Sequence, residues 1–246
     1  SPLISSLKRA ELLSYSFETE FICRLGALGK IEPDAVIAMI RMLIDHKMYE
    51  QMMGRNLNFR YSDLSSAFKA IKPLRYFRRI FQKGDEVVPE LIRAQSPILN
   101  VAVHDMTRVC DYLLSALGAR LVFVRVIRHP LLMLVQQFLN LERLLQNPRD
   151  IQVCFEYKEE QLPYFAYGWE SKFCESNNID RTIYSIEWML RESEGARERL
   201  KPEHKKSFVQ VPFEKLVIDP VPYIDEVAGL LQTEWTRETK KVMKKQ

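Results

Sequence analysis

Apolar residues recur along this chain with two periods, and the two periods alternate. Helical spacing marks LISSLKRAELLS (3–14), PDAVIAMIRMLIDHKMYEQMM (33–53) and a stretch from Asn56 to Phe81 that ends in RYFRRIF. It returns in MTRVCDYLLSALG (106–118), from Pro130 onward, in TIYSIEWMLRESEGARERL (182–200), in IDPVPYIDEVAGLL (218–231) and in the basic end TEWTRETKKVMKKQ. Pro33 and Pro130 stand at helix starts, where no backbone donor is lost, and Gly118 closes the helix before it. Compact apolar runs predict buried strands in SPILNVAVHD (96–105), ARLVFVRVIR (119–128) and SFVQVPFEKL (207–216), the last running into a loop. Residues 147–162 fit neither period cleanly.

Strands separated by helices predict an α/β fold, with a central parallel sheet flanked by helices in a single domain over 1–246. The ligand of such a sheet sits at the carboxyl ends of its strands. Two strands deliver polar residues there: one ends in His104-Asp105, the other in Arg128-His129-Pro130.

Composition narrows the class. The chain has 246 residues, 47% apolar and 28% charged, which suits an ordinary globular domain with a full core. No apolar run approaches the roughly 20 residues of a membrane span. A net charge of +4 suits an anionic ligand and does not suggest a nucleic-acid binder. Cys23, Cys110, Cys154 and Cys174 form no CxxC pair, which argues against a zinc or dithiol site. Their apolar neighbours predict buried free thiols, a reducing compartment and a cytoplasmic location. The start at Ser1 without methionine, and the stop at Gln246 inside a basic helical pattern, lead to the expectation that both natural ends are missing.

Arg128 poses the chemical question. A guanidinium at the exit of an apolar strand, beside the free amides and positive dipole end of a helix opened by Pro130, is an anion site. The competing expectation pairs Arg128 with a carboxylate at the sheet edge. None of the eight glycines completes a GxxxxGK[ST] or GxGxxG cradle, so a nucleotide loop, if one exists, would precede Ser1-Pro2-Leu3-Ile4.

LVFVRVIRHPLLMLVQQFLN (121–140) resembles the 3′-phosphate-binding segment of PAPS-dependent sulfotransferases. VQVPFEKLVIDPVPYIDEVAGLL (209–231) is similar to a later segment of that family, and SPLISSLKRAELLSYSFETEF (1–21) to the segment directly after its 5′-phosphosulfate loop. The resemblance implies a P-loop NTPase-like sulfotransferase architecture. It also implies PAPS as sulfuryl donor with PAP as product, and a carbohydrate or small-molecule hydroxyl as acceptor, with no metal and no nucleic acid. Ser1 would end the phosphosulfate loop and Arg128 would hold the 3′-phosphate. Gln136 stands eight residues on, where the family has serine. Arg237, Lys240 and Lys241 would correspond to carboxyl-terminal nucleotide contacts.

Sulfuryl transfer also needs a base for the acceptor proton. His104, 24 residues before Arg128, is one candidate; Glu18 and Glu20 in SFETEF are the others, and they share a side if that segment is extended. His129 is expected to be structural. The cationic and aromatic run Lys72-Pro-Leu-Arg75-Tyr76-Phe77-Arg78-Arg79 is expected to form an amphipathic helix with a solvated basic side, or else to grip a sulfated or phosphorylated acceptor or stack sugars, and PYFAYGWE (163–170) to line an acceptor pocket or simply to pack. Two rival readings remain: a P-loop small-metabolite kinase, and a degenerate, non-catalytic relative that binds a partner.

Overall fold

The computed structural model describes residues 2–63, 65–146 and 152–244. In chain order the elements begin α1 (Pro2–Ser5), β1 (Ala10–Tyr15), α2 (Phe17–Ala27), α3 (Pro33–Met53), α4 (Pro73–Arg79), α5 (Gly84–Gln95), β2 (Ile98–Ala102), α6 (Cys110–Leu117) and β3 (Phe123–Ile127). They continue with α7 (Pro130–Gln146), β4 (Cys154–Tyr157), β5 (Glu160–Pro163), α8 (Glu170–Glu175), α9 (Asn178–Arg199), α10 (Pro202–Lys205), β6 (Phe208–Pro212), α11 (Phe213–Ile218), α12 (Val221–Leu230) and α13 (Arg237–Met243). The chain is α/β, with small parallel sheets among many helices. It divides into two compact units: Ser1–Phe17, Met39–Val103 and Lys215–Gln246 form the first, Glu18–Ala38 and His104–Glu214 the second.

The first unit is built on the parallel pair β1–β2, with Leu13 opposite Asn100 and Tyr15 opposite Ala102. The helix expected over 3–14 is corrected here. It survives only as α1, because Arg9 takes a left-handed φ of 66° and the chain from Ala10 pairs with β2. Leu12 and Leu13 fit either period, and the ladder to a strand some 90 residues away decided between them. Glu11, wholly buried on β1, is gripped by Arg75 and by Arg79, whose nitrogens lie 2.8 and 3.0 Å from its oxygens. RYFRRIF is therefore only half a solvated helix: Arg78 is exposed, whereas Arg79 is buried. Gly54, at φ 85°, lets the chain pass the Arg79 backbone; a Cβ there would meet Arg79 Cβ at 2.9 Å. The helix expected across 56–81 is limited to a 3₁₀ turn at Ala67–Lys69 and to α4, and α5 follows it unannounced.

The second unit contains the parallel pair β3–β6, in register from Phe123 opposite Phe208 to Ile127 opposite Pro212, and the hairpin β4–β5. The Phe123 and Phe208 rings stack at 5.2 Å. Its core gathers Leu141 of α7, Trp188 of α9, Phe173 of α8 and the ring-rich turn Tyr164–Phe165. PYFAYGWE thus mainly packs, although Tyr167 remains 48% exposed. Asn177 caps α9 by accepting from the amides of Ile179 and Asp180, both at 3.0 Å. Gly26 lets α2 and the start of α3 approach, since a Cβ there would meet Val36 Cγ2 at 2.7 Å. SFVQVPFEKL runs from strand into helix α11, not into a loop.

The single central sheet expected from the alternation is not what the hydrogen bonds draw. Among the described residues the strands pair two by two, and the two parallel pairs fall in different units. Period identifies strands but not their neighbours, which are chosen by hydrogen bonds between distant segments. Cys23 and Cys110 are the expected buried thiols, pushed up to about 12 by burial. Cys154 is exposed instead, because it lies on a two-stranded hairpin. Among the described residues no helix is long and apolar enough to cross a membrane.

Candidate active site

The second unit brings two of the three candidate bases together. Glu20 lies in the first turns of α2 and is 3% exposed; His104 follows β2 and is 60% exposed. Glu20 Oε1 accepts from the His104 backbone amide at 2.8 Å and contacts His104 Nδ1 at 2.9 Å. Arg24, one helical turn beyond Glu20, closes the cluster. Its Nη2 lies 3.2 Å from Glu20 Oε2 and donates to the His104 carbonyl at 3.0 Å. One buried carboxylate therefore fixes both the backbone and the ring of His104, and one arginine fixes the carboxylate.

The electrostatics follow from that geometry. The hydrogen bond to Glu20 raises the His104 pKa above its ordinary value, burial opposing it and the Glu20 charge adding to it. With Nδ1–H donating to Glu20, the neutral imidazole carries its lone pair on Nε2, the arrangement of a carboxylate-oriented general base.

Glu18 is not part of this cluster. The two glutamates share a side only if the segment is extended, and SFETEF instead opens α2. Two residues on a helix turn by about 200°, so Glu20 points inward and Glu18 is exposed.

Behind the dyad lies a layer that the sequence did not announce. Asp105, at a left-handed φ of 48°, accepts from Tyr164 Oη at 3.0 Å and lies 3.6 Å from Arg108 Nε. Burial pushes its carboxyl up, against the pull of Arg108. Arg24 stands 4.1 Å from the Tyr164 ring centroid; Arg108 stands 4.9 Å from the same ring and 5.2 Å from that of Trp188. These faces compensate guanidinium nitrogens (Arg24 Nε, Arg108 Nε and Nη2) that have no hydrogen-bond acceptor among the described residues. The Glu20–Arg24 spacing of four and the Asp105–Arg108 spacing of three were the available signals.

The exit of β3 is built differently. Of its two arginines, Arg125 is the buried one, paired with Glu194 of α9. Arg128 is exposed and lies 5.1 Å from the Phe213 ring centroid, with no carboxylate ion pair among the described residues. The amide of His129, just before α7, donates to Glu214 at 2.9 Å. That bond first, then the Glu214 amide and the nearby His129 and Arg128 charges, hold the Glu214 carboxyl below its usual range. His129 itself is structural in one respect: its Nδ1 accepts from the Leu131 amide at 3.3 Å.

Of the remaining expected contacts, Gln136 is exposed on α7 and donates to Asn140 at 3.1 Å. Arg237, Lys240 and Lys241 are exposed on α13 in the first unit. Ser1 lies outside the described residues. Among the described residues no cluster of three or more His, Cys, Asp or Glu side chains could hold a metal ion.

No family model matches the chain, and no curated protein or solved structure matches it.

Proposed function

We propose that this chain is a PAPS-dependent sulfotransferase of the P-loop-like architecture, acting on a hydroxyl of a carbohydrate or small-molecule acceptor. The observation that carries the reading is the Glu20–His104 dyad, a half-exposed imidazole oriented through Nδ1 by a buried carboxylate. Such a base typically contributes about 10²–10⁴ in rate.

The donor fits the residues in part. Arg128 is a guanidinium with no carboxylate partner among the described residues, beside a helix start that already attracts an anion, Glu214. PAPS would supply an activated sulfuryl group with PAP as its leaving group. His104 Nε2 takes the acceptor proton as the acceptor oxygen bonds to sulfur, and the bond from sulfur to the 5′-phosphate oxygen breaks. Glu20 then stabilises the imidazolium. Arg128 holds the 3′-phosphate, where a planar fork gives two parallel hydrogen bonds.

Calorimetry with adenosine 3′,5′-bisphosphate tests donor binding. Saturable binding that Arg128→Ala weakens supports the reading, and no binding, or equal binding by the variant, removes it. Transfer of labelled sulfate to a panel of hydroxylated acceptors tests the chemistry. The non-catalytic reading draws on Gln136 being tied to Asn140, and on Glu214 at the helix amide. Nucleotide binding without any transfer would favour it.

A further inference from the structure

The first unit holds a cavity of about 130 Å³ at the amino end of β1, roomy compared with the ~10–15 Å³ that a single water requires. Lys8, Arg9, Lys69, Lys72, Arg75 and Tyr76 line it, and no carboxylate does. All of its walls belong to the first unit, whereas Glu20, His104 and Arg128 belong to the second.

The charges on these walls are poorly compensated. Lys8 has an exposed partner in Glu234 at 3.0 Å, the kind of surface pair that holds little energy. Arg9 is satisfied by backbone carbonyls alone, those of Ser96, Leu231 and Gln232, which accept its hydrogen bonds without cancelling its charge. Lys69 donates to the Ser62 carbonyl at 2.9 Å and feels the Asp63 charge only beyond ion-pair distance. The Lys72 carbonyl accepts from the Arg75 amide at 3.1 Å, but its ammonium has neither a hydrogen bond nor an ion pair among the described residues. Arg75 shares the single carboxylate of Glu11 with Arg79, which leaves that buried trio with excess positive charge. Tyr76 is 4% exposed; its hydroxyl accepts from the Leu12 amide at 2.7 Å, and no acceptor for its own proton is found among the described residues.

A concave, carboxylate-free wall of cations with a spare buried hydroxyl proton is complementary to a tetrahedral oxyanion. We propose that this cavity binds a phosphate or sulfate group, held by Lys72, Arg75 and the Tyr76 hydroxyl. The group is either a free oxyanion or the ester of a larger molecule. The rim bears on that choice: Lys69 lies 5.8 Å from the Tyr61 ring, which is 75% exposed and neighbours the half-exposed Phe68 at 6.1 Å. That ring surface can stack against a sugar carrying the ester.

The test is calorimetry at constant ionic strength on the chain carrying Arg128→Ala, which removes the other proposed anion site. The probes are inorganic phosphate, glucose 6-phosphate and glucose 6-sulfate. We expect saturable binding that Lys72→Glu and Lys69→Glu each weaken at least tenfold, with unchanged circular dichroism. Esters binding tenfold tighter than inorganic phosphate, with the gain lost in Tyr61→Ala, assign the site to a sugar ester. Equal affinities assign it to the free oxyanion. No saturable heat with any probe, or wild-type binding by Lys72→Glu, overturns the proposal. Loss of adenosine 3′,5′-bisphosphate binding in Arg128→Ala alone bears on the sulfotransferase reading, so the two can fail separately.

Discussion

The segments that come after β2 and β3 carry similar polar signals and fold into opposite solutions. After β2, His104 is tied by ring and backbone to a buried glutamate from α2, with Arg24, Asp105, Arg108 and Tyr164 packed behind it. After β3, Arg128 stays exposed on an aromatic ring, and the anion at the neighbouring amide is a surface glutamate. The first is a preorganised group whose partners cannot be removed cheaply. The second is an exposed cation with no carboxylate ion pair among the described residues. Preorganisation suits a proton-transfer group and openness suits a ligand contact, which is why the functional reading gives them those roles.

The contrast is broken most sharply by Glu20→Ala. It strands the buried Arg24 guanidinium and releases His104, so a loss of about 3–5 kcal/mol is expected in denaturant unfolding. His104→Gln should lower sulfate transfer by about 10²–10⁴ while the unfolding midpoint barely moves, because the ring is 60% exposed. Equal transfer by this variant would demote the dyad to a structural clamp.

Arg128→Ala should leave stability within about 0.5 kcal/mol and weaken nucleotide binding by about 1.5–3 kcal/mol, tenfold or more. A large stability loss there would mean that the two exits are alike after all.

The pH dependence sharpens the same point. The folded-state pKa of His104 is raised, so its contribution to stability is complete below the unfolded value near ~6.5 and is lost as pH rises through the folded value. A general base must be neutral, so transfer should rise over that same interval as the stability increment fades. Glu20→Gln removes the cause of the raised pKa, and the acid limb of kcat/KM should move to lower pH. The smallest effect is expected from Glu214→Gln, which should bring a modest gain in nucleotide affinity by withdrawing a competing carboxylate from the His129 amide.

Several elements are legible from pattern alone. PDAVIAMIRMLIDHKMYEQMM gives its helix with both bounds, because Pro33 opens it and the apolar period persists to Met53. The apolar runs around Val101 and Val124 give β2 and β3. The segment 3–14 misleads because its leucines fit two periods and a distant strand chooses between them. His104 and Glu20 are each visible as candidates, but nothing in the sequence joins them across 84 positions.

The sequence by itself determined the helix over 33–53, the apolar runs that become β2, β3 and β6, the polar residues at two strand exits and the excess of positive charge. Those are local properties, set by side-chain period, proline placement and composition. Only the tertiary structure decided which strands pair, that Arg125 and not Arg128 is buried against a carboxylate, and that Glu20 rather than Glu18 meets His104. It also decided that five cations surround one cavity free of carboxylates. Each of these depends on which distant segments share the same desolvated space, and a one-dimensional pattern does not encode that neighbourhood.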